Sequence, residues 1–254
     1  MRHIRLAFGS ISAYLLPMAT RHGALRIGLV VSFASAAGAI AMASGALVAA
    51  APQAAPAARF TCNQVTAMTL TREWYQAGFE QAPGILDDRW QLKARQSGYI
   101  TEWSNPHSDF WNQTPQSPCA NGSATPDHVV ITVLSWTPPC CTTQAQWEAQ
   151  IGAAVTTLKA KYAGLRRVDL MTVIRGPGNK SCPLPAAAGE TVSMPPELDD
   201  AFAAVAAKSS GLVFVAPKFE VPSCEAFRGG GPHLTAMGNA EVAKAIGTYF
   251  ATVQ

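Results

Sequence analysis

The sequence predicts an α/β domain, a parallel sheet with helices on both faces, carried behind an N-terminal export segment. Three observations predict it. Near-continuous apolar runs of strand length lie at 128–136, 168–174 and 212–216. Helical patterns follow them at 143–162, 195–208 and 235–250. A long stretch without any charge separates Arg26 from Arg59 behind a basic N-terminus. Strand and helix alternating in this way is the pattern of a sheet buried on both sides, whose strands read as unbroken apolar runs.

The elements are justified in order. Arg2, Arg5, Arg21 and Arg26 precede an Ala/Gly/Val-rich run with small residues at Val48-Ala49-Ala50. That is the layout of a secretory signal, expected to span residues 1–50 with cleavage near Ala50 or Ala51. An uncleaved run of this length would instead anchor the chain in a bilayer. Residues 51–59 are Ala/Pro-rich and read as a linker, leaving 60–254 as one domain of sufficient size to bury a core. Within it, 65–70 reads as a first strand and 91–95 as a second. The run 128–136 is the most apolar strand, and Trp147, Ile151, Val155, Leu158 and Tyr162 recur at helical spacing after it. Gly176-Pro177-Gly178 ends the strand at 168–174. Proline opens the helix at 195–208, and Thr235 is placed to cap the last one. The segment 98–122 lacks periodicity and carries Trp103, Phe110 and Trp111, which suggests an aromatic-lined excursion beside the ligand crevice.

Charge and cysteine content narrow the function classes. The chain has 19 Lys+Arg and 16 Asp+Glu. Four of the arginines and none of the acids precede residue 58, so the domain after the export segment carries 15 basic and 16 acidic residues. That leaves no basic footprint for nucleic acid. With the signal removed, no stable membrane embedding is expected, and the location is secreted or periplasmic. All six cysteines, Cys62, Cys119, Cys140, Cys141, Cys182 and Cys224, lie in the domain. An even count behind an export signal favours disulfides, with Cys140 and Cys141 expected to bond to different partners. No CxxC pair is present, the histidines are scattered, and no phosphate-binding glycine fingerprint occurs, so neither metal nor cofactor is expected. Asn112-Gln113-Thr114 and Asn121-Gly122-Ser123 match the glycosylation acceptor pattern.

Ligands of such sheets bind at the carboxyl ends of the strands, so the residues that follow each strand carry the candidate chemistry. Of the domain's three histidines, His107, His128 and His233, the last lies in Gly229-Gly230-Gly231-Pro232-His233-Leu234-Thr235, a glycine-rich loop before the final helix. It is the best-placed general base.

The string from His233 to Asn239, followed by an amphipathic helix, resembles the last conserved block of the SGNH (GDSL) hydrolases, in which the histidine is the base. The other blocks match by position over roughly residues 62–252. Thr69-Leu70-Thr71 stands where the family has its nucleophile block, Gly98 where a backbone N–H serves the oxyanion, and Ser135-Trp136 where an asparagine block closes the site. The resemblance implies a three-layer, flavodoxin-like fold. It also implies hydrolysis of small acyl esters or acetylated carbohydrate, with Thr69 as nucleophile and His233 as base. Gly98, Ser135 and Trp136 would then bind the oxyanion and substrate. Three departures set against it are Thr69 in place of serine, Ser135 in place of asparagine, and Gly230 in place of the aspartate that orients the imidazole. Losing such a carboxylate costs about 10⁴ in rate in a serine protease. Glu220 and Glu225, near the loop, are the candidates to replace it, and Ser97 and Ser135 are alternative hydroxyls. The rival reading is a module that keeps fold and crevice, has lost the chemistry, and binds carbohydrate through its tryptophans.

Overall fold

The computed structural model describes residues 59–95, 99–120, 125–133, 140–172, 174–179, 182–183, 191–192, 195–228 and 233–254. All belong to one compact unit, Ala54–Gln254. The expected signal at 1–50 and the linker up to residue 58 lie outside the described residues.

Five strands form an all-parallel sheet: β1 (Asn63–Ala67), β2 (Trp90–Ala94), β3 (His128–Val133), β4 (Arg167–Thr172) and, after two short elements, β7 (Val213–Val215). The spatial order is β2-β1-β3-β4-β7, the flavodoxin-like order. The chain leaves β1 toward β2, crosses back over β1 to β3, and continues outward, so the order reverses between β1 and β3. The helices are α1 (Thr69–Trp74), continued by a π-turn at Tyr75–Phe79, then α2 (Ile100–Trp103), α3 (Gln144–Lys161), α4 (Pro196–Lys208) and α5 (Ala236–Phe250). The two-residue strands β5 (Cys182–Pro183) and β6 (Thr191–Val192) pair antiparallel outside the main sheet.

Alternate side chains of β3 and β4 enter two separate cores, while the apolar side chains of β1 and β2 enter the first of them. Val65, Leu92 and Val130 pack with Phe79, Trp90, Val242, Ile246 and Phe250 on the α5 face. Val129, Ile131 and Val168 pack with Trp147, Ile151, Leu158, Leu198 and Phe202 on the α3/α4 face. This period-two division is what makes β3 a near-continuous apolar run. The expected elements fall within two to three residues of those found, with one consequential difference. The first strand stops at Ala67, Met68 is a single extended residue, and Thr69 already starts α1. Thr143 caps α3 through a reciprocal capping box with Gln146, and Thr235 caps α5 by accepting from the Gly238 N–H at 3.1 Å. The excursion at 98–122 is not an aromatic lining. Trp103, Phe110 and Trp111 are buried in the α3-side core, where ring area removed from water outweighs its use at an open crevice.

Gly247 allows α5 to lie directly on the segment after the π-turn. A Cβ there would run into the Ala82 methyl group and press on the Phe79 carbonyl. The described cysteines pair as Cys62–Cys119, Cys182–Cys224 and Cys140–Cys141. The last bond corrects the expectation for the adjacent pair: the other four thiols are consumed among themselves, so these two close on each other. Among the described residues, no helix is long and apolar enough to cross a membrane.

The first residues of three central strands, Asn63, His128 and Arg167, sit in register at the amino ends of the strands. They surround Asp169, whose carboxylate accepts from Arg167 Nε at 2.6 Å, from Arg167 Nη2 at 2.8 Å and from His128 Nε2 at 2.7 Å. His128 Nδ1 lies 2.6 Å from Asn63 Oδ1. Burial opposes ionisation of Asp169, but the Arg167 and His128 hydrogen bonds outweigh it and hold the carboxyl below its ordinary 3.8. Burial pushes the His128 imidazole below 6.5, against the pull of Asp169. Asp169 therefore takes up its proton more readily in the unfolded chain, and stability falls on acidification. Its contribution is complete above about pH 4 and declines through its lowered folded-state value. Urea titrations at a series of pH values should show this step. Asp169→Asn should cost about 3–5 kcal/mol, because it strands the Arg167 charge, and it should remove the step.

A second expected outcome concerns packing. Gly247→Ala, favourable by about 1 kcal/mol in an open helix, should instead destabilise by about 1–3 kcal/mol through the clash with Ala82, read as a lowered urea midpoint.

Candidate active site

At the reversal between β1 and β3, the carboxyl ends of the strands open away from the Asp169 network. The short passage from β1 into α1 places Thr69, half-buried, at the first helical position. Thr71 is buried, and its Oγ1 lies 2.7 Å from Thr132 Oγ1 near the end of β3. This bond ties α1 to the neighbouring strand. Glu73 follows Thr69 by four residues, so the two share one face of the helix.

His233 arrives at the same helix from the far end of the chain. Phe227 and Leu234 form an antiparallel bridge. The Arg228 N–H donates to the His233 carbonyl at 2.7 Å, and the Thr235 N–H donates to the Ala226 carbonyl at 2.7 Å. At Gly238, a Cβ would meet the Ala226 carbonyl at 2.9 Å, so glycine is what lets the start of α5 lie against this ribbon. The imidazole that results is 38% exposed, and its Nδ1 lies 2.9 Å from Glu73 Oε1. Arg228 Nη2 donates to the same oxygen at 2.8 Å.

A carboxylate can only accept, so Nδ1 carries a proton, and in the neutral ring Nε2 presents its lone pair. Among the described residues Nε2 has no hydrogen-bond partner. Chemically this is an imidazole oriented by an acid on one nitrogen and open to a proton on the other, the arrangement of a general base.

The structure thus joins His233 to the helix that Thr69 begins. Gly98, Ser135 and Trp136, and the alternative hydroxyl of Ser97, lie outside the described residues. Glu220 and Glu225 are not the orienting acids. The Glu220 carboxylate accepts from the Gly178 N–H at 2.7 Å, and no hydrogen bond joins Glu225 to His233 among the described residues. The acid hydrogen-bonded to His233 is Glu73. The sequence signal was the spacing of Thr69 and Glu73, which has meaning only once 69–74 is helix rather than the end of a strand.

The other histidine in a carboxylate pair, His128, is fully buried at the opposite end of the sheet, out of reach of any substrate. Among the described residues, no three His, Cys, Asp or Glu side chains come together as metal ligands.

No protein-family model matches the sequence, and no curated protein does. Among solved structures, the chain is similar to an acetyl xylan esterase, Est2A, from the rumen bacterium Butyrivibrio proteoclasticus, at 10% identity and a TM-score of 0.47. The match covers 78% of this chain and 65% of that one, so this chain spans less than two thirds of the esterase's length.

Proposed function

We propose that the protein is an exported hydrolase of the SGNH type acting on small acyl esters or acetylated carbohydrate. The observation that carries the reading is the Glu73–His233 hydrogen bond, with Nε2 left open, on the helix that begins at Thr69. Thr69 Oγ1 attacks the ester carbonyl carbon while its proton passes to His233 Nε2. The oxyanion is received by the Thr69 backbone N–H, which at the first helical position has no intrahelical acceptor, together with the Gly98 N–H and the Ser135 hydroxyl. Trp136 flanks the substrate. Collapse expels the alcohol, which takes the proton from His233, and water then releases the acid by the same route. Glu73 supplies the charge that the glycine at position 230 cannot, and it stabilises the imidazolium formed in each step. Three disulfides among the described residues accord with an oxidising compartment, and the segment 1–50 is read as the signal that leads there.

The rival reading, a binding module without turnover, draws on the Thr69 methyl group, which crowds a nucleophile, and on Arg228, which shares the Glu73 oxygen with the imidazole. It is weakened by Trp103 and Trp111, which lie in the core rather than on a surface that a sugar could stack against.

Purified protein is expected to turn over p-nitrophenyl acetate and acetylated xylo-oligosaccharide. Thr69→Ala and His233→Ala should each lower kcat/KM by about 10³-fold or more. Glu73→Gln should lower it by about 10²–10⁴-fold, since the wrong tautomer is then held. Thr69→Ser removes the crowding methyl and should raise the rate about tenfold, equivalent to 1.4 kcal/mol of barrier. Turnover that survives both Thr69→Ala and His233→Ala would sink the site assignment. No turnover, with a tryptophan fluorescence change on adding the oligosaccharide, would favour the module.

A further inference from the structure

We infer that a small cavity behind Glu73 is a structural water site, and that Asn239 is a positioning residue that uses this water to hold the Glu73 carboxylate toward His233. The catalytic meaning of this inference rests on the hydrolase reading; the water site does not.

The cavity lies between α1 and the first turn of α5, and Thr71, Glu73 and Asn239 are among the residues that line it. It offers about 10 Å³ to the centre of a water molecule, which is room for one water. Each of these three residues brings an acceptor. Glu73 directs Oε1 to both His233 and Arg228, while its buried Oε2 has no partner among the described residues. Asn239 is 7% exposed. Its Nδ2 donates to the Leu234 carbonyl at 3.3 Å. This bond fixes the amide the right way round and leaves the buried Oδ1 without a partner among the described residues. Thr132 Oγ1 donates to the Thr66 carbonyl, so the 2.7 Å contact between the two threonine hydroxyls is a donation from Thr71 to Thr132. The Thr71 oxygen keeps its own accepting capacity.

Acceptors cannot satisfy one another, and a buried carboxylate oxygen left unpaired is costly. The occupant must donate two hydrogens from a volume of one water, and water does so. With one hydrogen on Glu73 Oε2 and the other on Asn239 Oδ1, the carboxylate is pinned at both oxygens, and its plane is fixed relative to the imidazole. Without the water, Oε2 turns toward solvent, Oε1 leaves Nδ1, and His233 is free to move its proton to Nε2, where it can no longer act as base.

The test uses the whole purified protein in two measurements. A high-resolution crystal structure is expected to show a water within hydrogen-bond distance of Glu73 Oε2 and Asn239 Oδ1. Imidazole ¹⁵N spectra should show His233 protonated at Nδ1 in the parent. In Asn239→Leu, which fills the cavity without an acceptor, the proton should move to Nε2 and kcat should fall about ten- to a hundredfold with little change in KM. Asn239→Ser, which keeps a hydroxyl and leaves room for water, should retain the Nδ1 proton. A dry cavity in the parent overturns the inference. So does an Asn239→Leu protein that keeps both the Nδ1 proton and the parent's rate. Should that variant not fold, the parent density and the serine variant decide. If the water is present and the tautomer responds as expected but no ester is cleaved, the hydrolase reading falls and the positioning role of Asn239 stands.

Discussion

One carboxylate, that of Glu73, joins the first helix of the domain to the loop that precedes its last. Its Oε1 receives a ring nitrogen and a guanidinium from the C-terminal region, and its Oε2 faces the contact between α1 and α5. This carboxylate links α1 to both Arg228 and His233. It can be in place only because β1 ends abruptly. With Met68 as the sole extended residue between strand and helix, α1 begins at Thr69, and Glu73 falls one turn along the same face. The bond from Thr71 to Thr132 then fixes the rotation of α1 about its axis against β3.

Each end of the sheet holds a histidine–carboxylate pair, in opposite surroundings. At the amino ends, His128 and Asp169 are sealed from water and saturated by Asn63 and Arg167. Every polar atom of the imidazole is occupied, so the group specifies strand register and has no capacity left for a substrate. At the carboxyl ends, His233 is bonded at one nitrogen, partly exposed, and open at the other. The difference lies in the second partner and in access to solvent, since both are an imidazole beside a carboxylate. This is why a histidine beside a carboxylate in a sequence does not identify an active site until burial is known.

Much of the architecture was legible from the chain. Alternation of apolar strands with helices gave the parallel sheet, because residues at 129–131 and 168–170 must face a core on both sides. Capping residues such as Thr143 and Thr235 marked helix starts that the backbone observes. His233 was legible through the glycine-rich approach to α5. Glu73 was not. Its role depends on where a strand stops, and Thr66 to Leu70 carries no proline or glycine to mark the break. The pairing of Cys140 with Cys141 was equally hidden, since pairing follows from which thiols the fold brings together and not from their count. Trp103 and Trp111 misled for a related reason: an aperiodic segment can be as deeply packed as a regular one.

On the proposed hydrolase reading, an orienting acid that lies on a helix one turn past the hydroxyl, and not in the loop of the histidine, has a physical consequence. An acid three residues before His233 would move with that loop. Glu73 instead moves with α1, and so with Thr69. Displacing Arg228 and His233 would break the contact between imidazole and carboxylate but would leave hydroxyl and carboxylate in fixed relation on one rigid turn. The precision of such a site rests on the non-local contact between Glu73 of α1 and His233. That contact is reinforced by Arg228 on the same oxygen and by the Phe227–Leu234 bridge beside it. Arg228 draws charge from the carboxylate, and it also anchors the ribbon to α1. The sharing that weakens the pull on the imidazole is therefore what keeps the imidazole within reach of it.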